Sequence, residues 1–128
     1  MANIVVVEDE KDLRELIVEE LVDQGHDVHE ASNGAEGLAL IARISPDIVL
    51  ADINMPRMNG YEMRSQLVSN HPELAKRPFI FVSAYSEKSD IADGMILGAS
   101  HYITKPIDFD ALSGWVKSLT QANQVHPR

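Results

Sequence analysis

Five polar residues, Glu8, Asp9, Asp52, Ser83 and Lys105, sit at the ends of short apolar runs. Glu8-Asp9 follow Ile4-Val5-Val6-Val7, Asp52 follows Ile48-Val49-Leu50-Ala51, and Ser83 follows Phe79-Ile80-Phe81-Val82. Lys105, just ahead of Pro106, closes His101-Tyr102-Ile103-Thr104. Carboxylates gathered in one cleft repel one another unless a cation sits among them. A ligand set made only of oxygen favours a hard ion, and Mg²⁺ held by a few carboxylates, waters and phosphate oxygens suits it best. Lys105 adds a point positive charge, and Ser83 a hydroxyl donor, for oxygens that are not on the metal. Such a set holds a phosphoryl group, with Mg²⁺ on one side, Lys105 on the other and a carboxylate as nucleophile. Any one of these acids alone could equally cap a loop or a helix; the joint placement at strand ends carries the inference.

The elements that must position these groups alternate along the chain. Continuous apolar runs of four residues, separated by helical patterns, are the signature of parallel strands buried on both faces. Leu13, Leu16, Ile17 and Leu21 recur at helical spacing after the first run, with Gly25 as a stop. A weaker strand is expected at about residues 27–31, carrying Val28 and Ala31. Asn33-Gly34 reads as a turn before a helix marked by Ala35, Leu38, Ala39 and Ala42, with Ser45-Pro46 beyond its end. A long loop, Asn54 to Gly60, precedes a helix carrying Met63, Leu67 and Val68, and His71-Pro72 and Arg77-Pro78 bracket the approach to the next strand. Ile91, Ala92, Met95 and Ile96 stripe a fourth helix ending near Gly98. Phe109, Leu112, Val116 and Leu119 stripe a fifth, capped by Asp108 and closing near Thr120. Five βα units give a doubly wound α/β sheet with helices on both faces, and the common strand order for five strands is 2-1-3-4-5. In that order the ends of the first and third strands face each other, and ligands bind outside the carboxyl ends of the strands.

Bulk properties narrow the class. A chain of 128 residues suits one domain with a real core, expected over residues 1–122 with 123–128 as a short tail. No run approaches the about 20 apolar residues of a membrane span, and the start lacks the pattern of a signal peptide. The absence of cysteine rules out disulfides and thiolate metal sites and is compatible with a cytoplasmic location. A net charge of -9 opposes nonspecific nucleic-acid binding.

With those residues in place, the chain resembles a response-regulator receiver domain of the stand-alone type over nearly its whole length. The acid pair after strand 1, the lone Asp52 after strand 3, Ser83 after strand 4 and Lys105-Pro106 after strand 5 carry the resemblance. It implies a flavodoxin-like fold and a role in two-component or phosphorelay signalling. Asp52 would accept a phosphoryl group from a phosphohistidine on a histidine kinase or histidine phosphotransfer protein. Glu8, Asp9 and Asp52 would bind Mg²⁺, Asp9 directly and Glu8 through water, with the backbone carbonyl of Asn54 as a further ligand. Lys105 would pair with the phosphoryl group, and its bond to Pro106 is expected to be cis. Ser83 and Tyr102 would act as the switch, changing the face of the fourth helix, fifth strand and fifth helix that a downstream protein reads. Asn54 and Tyr85, each two residues past a site residue, would tune phosphoryl lifetime, and Tyr85 is expected to shield the acyl phosphate from water. The expected state is a monomer, with phosphorylation-promoted pairing as the alternative, acting without an enzyme turnover of its own.

The departures from the commonest receiver pattern are Glu8-Asp9 where two aspartates are frequent and Ser83 where threonine is common. Serine keeps the hydroxyl but leaves its rotamer freer. Other residues invite plainer readings: His26 and His29 fall on opposite faces of a strand, His101 is a solvated strand start with pH sensing as the alternative, Glu19-Glu20 is a solvated helix face, and Trp115, bordering its helix stripe, packs in the core with partner contact as the alternative. Gly114 lies inside the last helix.

Rival classes fit less well. Phosphohydrolases of the haloacid dehalogenase type carry Asp-x-Asp, but Asp52-Ile53-Asn54 lacks the second acid. Nucleotide or flavin binding needs a glycine-rich loop after strand 1, where Glu8-Asp9-Glu10 would repel a phosphate instead. A receiver-like interaction module that never takes up phosphoryl groups, and a receiver excised from a larger regulator or hybrid kinase, remain as the alternatives.

Overall fold

A computed structural model describes the backbone at residues 2–84 and 88–124 and the side chains at 2–84 and 90–120. The elements run β1 (Asn3–Val7), α1 (Lys11–Asp23), β2 (Asp27–Ala31), α2 (Gly34–Ile44), β3 (Ile48–Asp52), α3 (Gly60–Asn70), α4 (Pro72–Ala75), β4 (Phe79–Ser83), α5 (Lys88–Ile96), β5 (His101–Thr104) and α6 (Phe109–Gln124). All five strands are parallel, in the order β2-β1-β3-β4-β5.

Period-two alternation along each strand divides the core into two layers. Val5, Val7, Val49, Ala51, Phe79 and Phe81 face α2 and α3, meeting Leu40, Ile41, Met63 and Leu67. Ile4, Val6, Ile48, Leu50, Ile80, Val82 and Ile103 face the other way, onto Ile17 and Leu21 of α1 and Leu112 and Val116 of α6. The three central strands are therefore apolar on both faces, while the edge strands β2 and β5 are only partly buried.

Several helices differ in detail from the sequence expectation. The apolar stripe of α2 is rotated: Gly34, Gly37, Leu40 and Ile41 are buried, and Ala35, Ala39 and Ala42 face solvent. Gly37 explains the phase, because a Cβ there would lie 2.7 Å from Val7 Cγ2. Asn33-Gly34 is no separate turn; Asn33 caps α2 by accepting from the Glu36 N–H at 2.8 Å. The α5 stripe is rotated too, with Gly94 buried but Met95 44% and Ile96 81% exposed. Phe81 and Tyr102 fill the space where a larger residue at Gly94 would sit. Leu16 and Val68 also lie on outer faces. Between the two X-Pro pairs the chain makes one helical turn, α4, with Pro72 in its first turn, where a missing N–H costs nothing.

Helix α6 continues to Gln124, past the anticipated close near Thr120. Its stripe is as expected, and Asp108 Oδ1 accepts from the Ala111 N–H at 3.1 Å. Trp115 is not a core residue: it is 43% exposed and stacks on His101, centroids 3.8 Å apart, so His101 is not simply solvated either. A Cβ at Gly114 would meet nothing within 4 Å. Gly114→Ala should therefore stabilise the fold by about 0.5–1 kcal/mol, by lowering the entropy of the unfolded chain and raising helix propensity. A denaturant titration reads this directly, and a loss of stability would mean that the glycine serves a packing role.

Candidate functional site

Parallel register brings the polar strand ends to one edge of the sheet. Val7 pairs with Ala51, Asp52 with Val82, and Ser83 with Thr104, so Glu8-Asp9, Asp52, Ser83 and Lys105 emerge side by side. Backbone bonds continue past the strands and hold these ends: Glu8 N–H to Ala31 O at 3.1 Å, Ile53 N–H to Val82 O at 3.1 Å, and Lys105 N–H to Ser83 O at 2.8 Å. The Lys105-Pro106 peptide is cis.

Glu8, Asp9 and Asp52 each offer a carboxylate oxygen within 4.8 Å of the others. Glu8 and Asp52 are buried, each 2% exposed, whereas Asp9 is open to solvent. Lys105 Nζ lies 3.2 Å from Glu8 Oε1 and 3.4 Å from Asp52 Oδ1. That contact is an ion pair without hydrogen-bond alignment, since buried Glu8 Oε1 accepts no hydrogen bond. The other oxygen, Glu8 Oε2, accepts from the Glu10 N–H at 3.2 Å, and Asp52 Oδ1 accepts from the Asn54 N–H at 3.3 Å.

The electrostatics reflect this crowding. Burial, and then the negative charge of Asp52, push Glu8 from 4.5 up to about 7. Burial also raises Asp52 above the usual carboxylate range, against the pull of Lys105. Burial lowers Lys105, but the two carboxylates more than offset that and leave it raised. A buried carboxylate oxygen without a hydrogen bond, Glu8 Oε1, beside two other acids is the donor set a hard divalent cation completes, so the residues present fit Mg²⁺.

A pH dependence follows. The unfolded value of Glu8 is 4.5 and its folded value about 7, so the metal-free fold holds the extra proton in that window. Stability without metal should therefore fall as pH rises from 4.5 to about 7. A cation must displace the proton, so apparent Mg²⁺ affinity should rise about tenfold per pH unit below that value and level off above it. Calorimetric Mg²⁺ titrations at about pH 6 and about pH 8 read this difference. Equal affinities at the two would place the metal away from Glu8.

The remaining residues singled out from sequence are placed as follows. Ser83 is fully buried at the end of β4, and Asn54 is exposed in the loop after Asp52. Tyr102 is half-buried on β5 opposite Phe81. Tyr85 lies outside the described residues. His26 Nδ1 accepts from the Ala2 N–H at 3.2 Å, and among the described residues no histidine joins a metal-ligating cluster. An open cleft of about 410 Å³ runs from Asp9 past Asn33 and Gly34 to Arg57 and Met58.

Two supporting residues escaped the sequence reading. Arg14 Nη1 donates to the Glu8 carbonyl at 2.9 Å while its Nε pairs with Glu30 at 3.0 Å, fixing the acid loop to β2. Gly60 opens α3 against the main chain of Asp52, where a Cβ would lie 2.5 Å from Asp52 O. Its helix is announced by a capping box, Asn59 with Glu62, a pattern visible in the sequence as Asn-x-x-Glu.

Comparison with known proteins points the same way. The family described as response regulator receiver domain matches residues 4–117. Protein PilH of Pseudomonas aeruginosa is 37% identical over 112 residues, covering 88% of this chain and 92% of that protein. Regulatory protein AtoC of Escherichia coli is 36% identical over 95% of this chain, which spans only 26% of AtoC. The chain likewise spans about half (52%) of a probable transcriptional regulator, ycf29, of Pyropia yezoensis. Among solved structures, the receiver domain of Francisella response regulator 1452 superposes with a TM-score of 0.89 at 26% identity, over 96% of this chain and 99% of that one.

Proposed function

The chain belongs to the response regulator receiver family of two-component signalling, and from that premise we propose that Asp52 accepts a phosphoryl group from a phosphohistidine donor. The observation that carries this is the buried Asp52 carboxylate, clustered with Glu8 and Asp9 and paired with Lys105 at 3.4 Å. An Asp52 oxygen attacks phosphorus, the P–N bond to the donor histidine breaks, and the imidazole leaves with the bonding pair. Glu8, Asp9, Asp52 and the Asn54 carbonyl would hold Mg²⁺, which would supply positive charge for the phosphoryl oxygens. Lys105 now rests directly on both carboxylates, so admission of the phosphoryl group shifts its ammonium outward onto the new oxygens. The cleft beside Asp9, with Arg57 on its wall, gives the donor an approach.

The phosphoryl group adds about −1.5 to −2 charge at the sheet edge. The Ser83 hydroxyl moves toward it, and Tyr102 follows into the space vacated behind β4. The exposed face of α5, β5 and α6, with Met95, Ile96 and Trp115, is the surface a downstream protein reads. The chain has no substrate of its own to turn over, and Asn54 and Tyr85 set how long the acyl phosphate lasts. The unit ends with α6, two residues past the expected boundary at 122, and acts as a cytoplasmic monomer that pairs with a kinase or phosphotransfer protein. No described helix is long and apolar enough to cross a membrane.

Incubation with a purified phosphohistidine protein tests the proposal. Label should leave the donor and appear on this chain as a base-labile acyl phosphate at Asp52. Label that stays on the donor, with small phosphodonors equally inert, would instead favour an interaction module.

A further inference from the structure

We infer that Tyr61 is a positioning residue that carries the state of the Asp52 site to α5. The inference rests on the acceptor reading and adds a route that does not run through Ser83. Tyr61 follows Gly60, whose N–H bonds to Ile53 O at 2.9 Å and whose Cα abuts the Asp52 carbonyl. Its backbone is thus referenced directly to the acceptor strand. The Tyr61 ring meets Phe81 of β4 edge-on, centroids 5.2 Å apart, two residues before Ser83. Its hydroxyl donates to the Asp90 carbonyl of α5 at 3.2 Å.

Among the described residues, α5 otherwise touches β5 and, through Leu97 just past its end, the core. Where most helices set large apolar side chains on the sheet, α5 sets Gly94 against Phe81 and Tyr102, with a Cβ position only 3.1 and 2.9 Å from those rings. Met95 and Ile96 point outward. The far end is held by another α3 side chain, Arg64, whose Nε donates to Leu97 O at 2.9 Å. Helix α5 is thus hydrogen-bonded by α3 side chains at both ends, and the Tyr61 ring lies on the side of Phe81 and Tyr102. Burial, and then the neighbouring Tyr102, raise the Tyr61 hydroxyl to about 12, so it remains a donor at any physiological pH. Displacement of Tyr102 or of the Asp52 main chain changes the ring's seat and with it the bond to α5. A helix held this way responds to the loss or gain of one hydrogen bond.

The test compares wild type with Tyr61→Phe by amide hydrogen exchange over residues 90–97, before and after treatment with acetyl phosphate and Mg²⁺. Intact mass is recorded on the same samples. The variant should take up as much phosphoryl as wild type. Untreated, its α5 amides should exchange about fivefold faster, the effect of one lost hydrogen bond. The change produced by phosphorylation should fall to less than half of that in wild type. Exchange that matches wild type in both states would overturn the inference. Faster exchange with an undiminished phosphorylation-linked change would also overturn it, leaving Tyr61 with a purely structural role. Failure of wild type to gain mass from acetyl phosphate and from a phosphohistidine protein alike would remove the acceptor reading and the coupling with it, and the untreated comparison would still decide whether Tyr61 anchors α5.

Discussion

Asp52→Asn should leave the chain folded but unable to take up a phosphoryl group from any donor. The amide keeps the shape of the acid at the end of β3 and removes the nucleophilic oxygen anion. The same change should raise stability in the absence of metal. Asp52 is 2% exposed, and its burial already works against ionisation. Removing its charge relieves repulsion on Glu8, which then ionises more readily and retains Lys105 as its partner at 3.2 Å. Relieving the repulsion between the two buried carboxylates while Lys105 stays paired with Glu8 should stabilise by about 1–2 kcal/mol, since one pKa unit of relief is worth about 1.4 kcal/mol. Melts in EDTA should show the variant above wild type, and added Mg²⁺ should narrow the gap by stabilising wild type more. Undiminished labelling would show that another residue is the acceptor. A less stable variant in EDTA would show that the Lys105 ion pair outweighs the crowding of the acids.

Gly60→Ala should be the most damaging small substitution near the site. The added carbon would lie 2.5 Å from Asp52 O and 2.9 Å from Ile53 Cα, both backbone atoms that cannot swing aside. Either α3 backs away, breaking the Gly60 N–H to Ile53 O bond of 2.9 Å, or the end of β3 moves. Overpacking of this kind costs about 3 kcal/mol, which for a domain of this size lowers the melting temperature by about 10 °C. Displacement of the acceptor by even a fraction of an ångström also spoils its alignment, so labelling should slow by at least about tenfold. Thermal melts and labelling time courses measure the two effects separately. A melting temperature within about 2 °C of wild type would mean that the α3 junction is far more compliant than the contact distances imply.

The site was legible in the sequence to the extent that strands announce their own ends. Four apolar runs stop at the acids, the serine and the lysine, and parallel pairing then leaves little freedom in where those residues emerge. The strand order follows from the short right-handed connections. The helices were harder to read because glycine carries the packing in two of them. Gly37 against Val7 and Gly94 against Tyr102 occupy buried positions without counting as apolar, so the apolar spacing points to the alanines of α2 and Ile96 of α5 instead. Trp115 borders the apolar stripe of α6, which suggests the core, yet it stacks on His101 at the surface. The single turn of α4 is too short to show a period. Arg14, Gly60 and Tyr61 act through long-range contacts to Glu8, Asp52 and Asp90, and no local spacing encodes these.

Intact mass of the wild-type chain after incubation with acetyl phosphate, with and without Mg²⁺, tests the central claim most directly. Phosphoryl acceptance at a carboxylate cluster that needs a divalent cation predicts one added phosphoryl group in Mg²⁺ and none in EDTA. The adduct should be lost under mild base, as an acyl phosphate is. An adduct that forms equally well in EDTA would contradict the metal assigned to Glu8, Asp9 and Asp52, and one that survives base would contradict a carboxylate acceptor.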